Sequence, residues 1–209
     1  MKTKALLLTV ALGAASAATS MAQVYSQNAV GYINVPVLNG FNLISAQLAT
    51  ADRRLAAMIP TAPEDTTAYI YTPGSGFAIR SVVGGAWDPN GDPQILLGGG
   101  LWLQTTTPFT ITFVGEVPQG NLSTPVASGF SIVSSQVPQS GTLTTALGFP
   151  AKENDACYKF IPGPGAHYEI STFIGGAWDL TEPTLGVGDA VWIQSEGAHA
   201  NWTRVFSVN

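Results

Sequence analysis

Short runs that alternate apolar and polar residues, broken by Gly and Pro, dominate the chain. Asn42 to Gln47, Thr67 to Thr72, Phe77 to Val83, Gly100 to Thr105 and Thr110 to Val117 are rich in β-branched and aromatic residues and read as strands. Alternation is clearest in the last, where Ile111 and Phe113 share one face while Thr110 and Thr112 take the other. Two short helical turns are expected between strands. Thr50 caps one containing Leu55, Met58 and Ile59 that stops before Pro60, and Ser140 caps one containing Leu143 and Leu147 before Pro150.

The pattern occurs twice. Gly40-Phe41-Asn42-Leu43-Ile44-Ser45-Ala46-Gln47 returns as Gly129-Phe130-Ser131-Ile132-Val133-Ser134-Ser135-Gln136, 89 positions later. Tyr69 and Tyr71 answer to Tyr158 and Phe160, and the run GGAWD stands both at Gly84 to Asp88 and at Gly175 to Asp179. Leu101 to Gln104 match Val191 to Gln194, and the lead-in Gly31, Pro36 and Val37 matches Gly120, Pro125 and Val126. A period near 90 is the size of a domain rather than of a solenoid unit. The fold class expected is therefore mainly β: two tandem, similar antiparallel β-sandwich or partly closed barrel modules, each with one short helix. The first covers residues 23–118 and the second 119–209, joined near Pro118 to Ser123. The alternative is that the halves interleave strands into one pseudo-symmetric core.

Residues 1–22 stand outside this repeat. Lys2 and Lys4 precede an apolar run from Ala5 to about Ala18, and Ser20 and Ala22 put small residues before a cut at Gln23, the pattern of a secretory signal peptide. The run is too short for the roughly 20 residues of a membrane span, and no later segment replaces it. The expected location is therefore outside the cytoplasmic membrane: periplasmic, cell-surface or extracellular. Cleavage removes two lysines and no acid, taking the net charge from −5 to about −7. Acidity and the lack of basic patches argue against nucleic acid and anionic lipid as partners. Cys157 is the only cysteine and reads as a small buried apolar residue, the alternative being an intermolecular bridge.

The opening Gly40 to Ser45 and the closing Leu97-Gly98-Gly99-Gly100-Leu101-Trp102-Leu103 resemble a module of secreted and surface proteins of bacteria and archaea that begins with a strand like GWNLIS and ends with one like PGxGYWI. Phe41 takes the usual Trp position. In the second copy Ser131 replaces the Asn, while Val187 to Ile193 keep the closing pattern. Asn28 to Tyr32 also resemble the mature start of a group of exported bacterial proteins carrying this module. The resemblance implies a noncatalytic surface or accessory domain and brings no catalytic residue with it.

The candidate ligand contacts follow the GGAWD turns. Exposed indoles at Trp87 and Trp178, beside Asp88 and Asp179, would form a carbohydrate platform; the alternative is that both rings plug the rim of their own core. Trp102, Trp192 and Trp202 are expected in cores or in the contact between copies. Asp88, Asn90 and Asp92 have the spacing of a calcium loop, but Pro93 and Gly99 stand where an EF-hand loop needs Gly and Glu, so a polar hairpin loop is the simpler account. No HExxH, GxSxG or Cys/His cluster accompanies His167 and His199, so no enzyme, metal or cofactor is expected. The reading is a secreted, noncatalytic structural or adhesive protein whose partners are a second copy, envelope proteins or polysaccharide, with carbohydrate binding at Trp87 and Trp178 as the alternative.

Overall fold

In β1 (Val30–Val37) Ile33, Val35 and Val37 point inward while Val30 and Tyr32 face solvent. It pairs antiparallel with β7 (Phe109–Glu116), Val35 opposite Ile111 and Ile33 opposite Phe113, so the two inward rows join one core. β1 is a strand beyond those predicted: Gly31 and Pro36 lower its strand propensity, and Pro36 is accommodated because β7 is the only partner of β1 among the described residues. The computed structural model describes residues 29–208, and the predicted signal peptide lies outside the described residues.

Packed on this pair is a five-stranded antiparallel sheet in the order β2 (Gly40–Ile44), β6 (Leu101–Thr105), β3 (Thr67–Thr72), β4 (Gly76–Val83), β5 (Ala86–Trp87). The second half has the sheet β9 (Gly129–Val133), β15 (Val191–Ser195), β11 (Ala156–Ile161), β12 (His167–Ile174), β13 (Ala177–Trp178), and the pair β8 (Gly120–Thr124) with β16 (Trp202–Phe206). A two-residue pair, β10 (Gly141–Thr142) with β14 (Thr184–Leu185), completes it. Strand for strand the two orders agree under the sequence offset of 89 to 91. Among the described residues no sheet closes into a barrel, and the class is mainly β and sandwich-like.

Cores follow the halves. One cluster of buried residues runs from Ile33 to Phe113, and another, from Val126 to Trp202, gathers Phe149, Cys157, Trp178 and Trp202. Among the described residues no strand crosses from one sheet into the other. Burial of this kind is worth about 1.5–3 kcal/mol for each large side chain, so each half carries its own driving force. Burial pushes the Cys157 thiol up to about 12, which leaves it protonated and inert at neutral pH.

The Gly-Gly turns close two-residue hairpins, Val83 pairing Ala86 and Ile174 pairing Ala177. Both central positions need positive φ, +66° and +80° in one turn and +63° and +84° in the other, which glycine adopts without strain. Carboxylates fasten them. Glu64 accepts from the N–H groups of Gly84 and Gly85 at 2.8 and 2.9 Å, and Glu153 accepts from that of Gly175 at 3.0 Å.

The helices differ from expectation. α1 (Leu55–Met58) is a single turn preceded by Arg54 without a side-chain cap, and the Thr50 hydroxyl donates to Asp52 O instead. Its expected counterpart after Ser140 is a set of turns at 143–147 rather than a helix. Thr144 and Thr145 are poor helix formers, their N–H groups are held by Glu182 at 2.6 and 2.7 Å, and Leu147 N–H reaches back to Thr142 O.

Candidate functional site: an aromatic cleft between the halves

Each five-stranded sheet has an inward face on its own core and a second face turned away from it. Alternation puts Phe41, Tyr69, Tyr71, Phe77 and Trp102 on that second face in the first half, and Phe130, Tyr158, Phe160, Tyr168 and Trp192 on it in the second. The two second faces meet. Leu43, Trp102, Ile132 and Ala190 are buried between them, with Tyr69, Tyr71, Phe160 and Trp192 packed around.

A local two-fold relates the contacts. Tyr71 meets Trp192 edge to face with ring centres 4.8 Å apart, and Phe160 meets Trp102 at 4.8 Å. Tyr71 and Phe160, like Trp102 and Trp192, are matching positions of the repeat. Edge-to-face pairs add about 0.5–1.5 kcal/mol each beyond the area they bury. At the axis Ser45 Oγ lies 2.6 Å from Ser134 Oγ, both fully buried, and both hydroxyls reach Gly99 O. Backbone bonds cross on either side, Ser45 N to Gly188 O and Ser134 N to Gly98 O, each 2.8 Å. Gly100 makes the approach possible: a Cβ there would stand 2.5 Å from Ala190 Cβ and 2.8 Å from Ile44 O.

Beyond this contact the faces part into two hollows. One, of 500 Å³, is lined by Tyr71, Phe130, Tyr158, Ile170 and Trp192; the other, of 360 Å³, by Phe41, Tyr69, Trp102 and Phe160. Phe77 and Tyr168 border both. Four of these rings stay 42 to 48% exposed: Phe41, Phe77, Phe130 and Tyr168. None of the positions on these two faces is Asp, Glu, Lys or Arg. Burial raises the Tyr168 phenol above its ordinary range, so its hydroxyl stays neutral as well.

Polar groups in the cleft come in matched sets. Tyr69 O–H donates to Gln104 Oε1 at 2.9 Å and Tyr158 O–H to Gln194 Oε1 at 2.7 Å. The indole N–H groups divide in two. Those of Trp87, Trp178 and Trp202 donate to Ile59 O, Thr144 Oγ1 and Leu147 O, whereas those of Trp102 and Trp192 have no acceptor among the described residues.

The residues expected to bind sugar sit elsewhere. Trp178 is 9% exposed, 5.4 Å from Phe173 within the second core, and has no free face for a ligand. Trp87 is half-buried against the first core. Each indole packs against the core of its own half. Asp88 Oδ1 accepts from Asn90 N–H and amide, and Asp179 Oδ1 accepts from Thr172 N–H, so the two acids brace their own loops. Trp202 is wholly buried, and Trp102 and Trp192 lie in the contact between halves.

A second polar group is internal. Asp155 has no exposure and accepts from Ser195 Oγ at 2.6 Å and from Lys152 N–H at 2.9 Å, while His199 Nε2 stands 2.9 Å from its other face of approach at Oδ2. His199 Nδ1 faces Ala200 O at 2.7 Å. These are the residue types of a hydrolase triad in the wrong order, since the serine bonds to the carboxylate and not to the imidazole, and both the Asp155 and His199 side chains are sealed from solvent. The group fastens the loop before β16. Among the described residues no three His, Cys, Asp or Glu side chains stand together as a metal site, and no helix is long and apolar enough to cross a membrane.

The cleft defines a sandwich-like β protein with a charge-free aromatic surface. No family model, curated protein or solved structure matches the chain.

Proposed function

We propose that the protein is an exported, noncatalytic structural or adhesive component of the cell surface or extracellular matrix, and that it works by contact through the aromatic cleft. The observation that carries this reading is the cleft itself: exposed rings over two joined hollows, on a face without a single charge. Contiguous apolar surface of this kind marks interaction sites on soluble proteins. The two-module organisation read from the repeat fits it, because pairing two like faces is what builds the cleft. The buried Ser195, Asp155 and His199 group supports a noncatalytic role, being placed to hold a loop rather than to meet a substrate.

Retention on envelope material tests the proposal. Purified mature protein is expected to sediment with bacterial envelope fragments, and Phe77→Asp or Tyr168→Asp to lower the retained fraction at least tenfold. Tyr32→Asp, on the outer face of β1, serves as the control and is expected to leave it unchanged. Equal retention of all four proteins, or none for the wild type, defeats the reading.

A further inference from the structure

We infer that the cleft is a binding site for a neutral polysaccharide chain, an inference that rests on the contact function proposed above and names its partner. Three features of the cleft select this ligand class.

The first is charge. The faces lining the cleft carry none, and the protein as a whole is acidic at −5. An anionic polymer, whether nucleic acid, uronic-acid polysaccharide or acidic lipid surface, finds no cation there and meets a repelling field. A cationic partner finds no carboxylate. Only an uncharged ligand loses nothing on entering.

The second is the kind of hydrogen bonding left open. Trp102 is 7% exposed, yet among the described residues its indole N–H has no acceptor, and the matching Trp192 N–H has none either. Neither nitrogen is sealed from solvent. Each is a donor without a protein acceptor, on a ring that lines one of the hollows. Acceptors stand beside them, because Tyr69 and Tyr158 spend their protons on Gln104 and Gln194 and keep free lone pairs on their own oxygens. A sugar hydroxyl both donates and accepts, and the C–H faces of a pyranose ring suit flat aromatic walls, so one ligand satisfies rings, donors and acceptors together. A proline-rich peptide would fill the rings and take the indole protons, but proline has no N–H to offer the tyrosine oxygens.

The third is repetition. The hollows are related by the two-fold at Ser45 and Ser134, so the chemistry met in one is met again in the other. A polymer of one repeating unit answers that demand. A second copy of the protein answers it poorly, since it would set hollow against hollow and leave voids that a stable interface does not contain.

Titration with soluble hexasaccharides tests the inference, read by tryptophan fluorescence and calorimetry. Cellohexaose, xylohexaose, chitohexaose and laminarihexaose are the neutral probes; hexagalacturonate and a proline decamer are the comparisons. At least one neutral probe is expected to bind saturably and the comparisons not to bind. Trp102→Phe and Trp192→Phe keep a ring and lose only the N–H, and each is expected to weaken binding about five- to twentyfold. Phe77→Ala, at an exposed ring, is expected to weaken it at least as much with an unchanged melting temperature, whereas Trp87→Phe leaves it unaltered. The inference is overturned if none of the four neutral probes binds, or if binding survives all the cleft substitutions. Failure here with cleft-dependent retention on envelope fragments overturns the ligand but leaves the contact function, and then decamer binding or concentration-dependent dimers identify the occupant. Loss of envelope retention as well removes both.

Discussion

Thr66 and Asp155 occupy matching places just before matching strands, yet the two halves use them in opposite ways. In the first half Thr66 Oγ1 donates to Thr105 Oγ1 at 3.2 Å, and the Thr105 hydroxyl in turn donates to Thr107 O, a neutral hydroxyl pair that needs nothing more. In the second, Asp155 and Ser195 replace the threonines and His199 is recruited from the next loop. Lys152 joins by donating from Nζ to Glu196 O and Ala198 O, so the loop before β16 is fastened by ionisable groups on two sides. The backbone around both pairs is the same: Asp65 and Asn154, immediately before them, share a left-handed φ of 62° and 68°. One architecture therefore accepts either solution. What differs is the penalty for damage, since a buried carboxylate that loses a partner is far more costly than a buried hydroxyl that does so.

The comparison breaks most sharply at Asp155 and His199. His199→Ala strands the carboxylate without its imidazole, and the expected loss is about 3–5 kcal/mol, read as a lower urea midpoint. Thr66→Val, which removes a neutral hydroxyl at nearly constant volume, is expected to lose about 1 kcal/mol. The double replacement Asp155→Thr with His199→Ala installs the first half's chemistry and is expected to recover part of the loss. Equal effects of His199→Ala and Thr66→Val would show that the ionisable cluster contributes nothing the hydroxyl pair lacks.

These two solutions mark the limit of what the sequence discloses. The repeat, the strands at 67–72 and 101–105 and the burial of Trp202 can be read directly, because alternation and Gly or Pro punctuation are local signals. The cleft is half visible: Tyr69 with Tyr71 and Tyr158 with Phe160 alternate with apolar core positions, and both faces are free of charge, a pattern that points to a second apolar face on each sheet. What no local pattern reveals is that these faces meet each other, which depends on Gly100 passing Ala190 and on Ser45 finding Ser134. For the same reason the local pattern leaves Trp87 and Trp178 open between an exposed platform and a rim plug: their N–H acceptors, Ile59 O and Thr144 Oγ1, lie 28 and 34 positions away. The cluster at Asp155 joins residues 40 and 44 positions apart and is equally silent.

The axis supplies a test of intermediate size, at the contact where matching serines of the two halves meet. Ser45 and Ser134 share a single bond and a single acceptor, Gly99 O. Ser45→Ala leaves Ser134 able to donate to Gly99 O, so about 1–2 kcal/mol is expected, and Ser134→Ala should cost about the same. The double variant is expected to cost less than the sum of the two, because each single change already removes the shared bond. Strict additivity in urea unfolding would mean that the hydroxyls act separately and that the two-fold contact is held by backbone and rings alone.

The smallest effect separates the halves by pH. Asp92 and Glu182 do matching work, Asp92 Oδ1 accepting from Ala56 N–H at 3.1 Å while Glu182 accepts from Thr144 and Thr145 N–H and from the Thr145 hydroxyl. Burial pushes the Glu182 carboxyl up, but the Thr145 and Thr144 bonds together outweigh it and hold the group below its ordinary value of 4.5. A carboxyl depressed in the folded state contributes stability that is present above its unfolded pKa and lost as pH falls through the folded one. Glu182→Gln keeps the shape and removes the charge. The variant is therefore expected to be slightly less stable than the wild type at neutral pH, by a margin that shrinks as pH drops from about 5 to about 3, where the wild-type carboxyl is itself protonated. The group is only partly buried, so the difference is small and is best followed as the gap between urea midpoints along a pH series. A gap that stays constant across that range would assign the role of Glu182 to shape rather than charge.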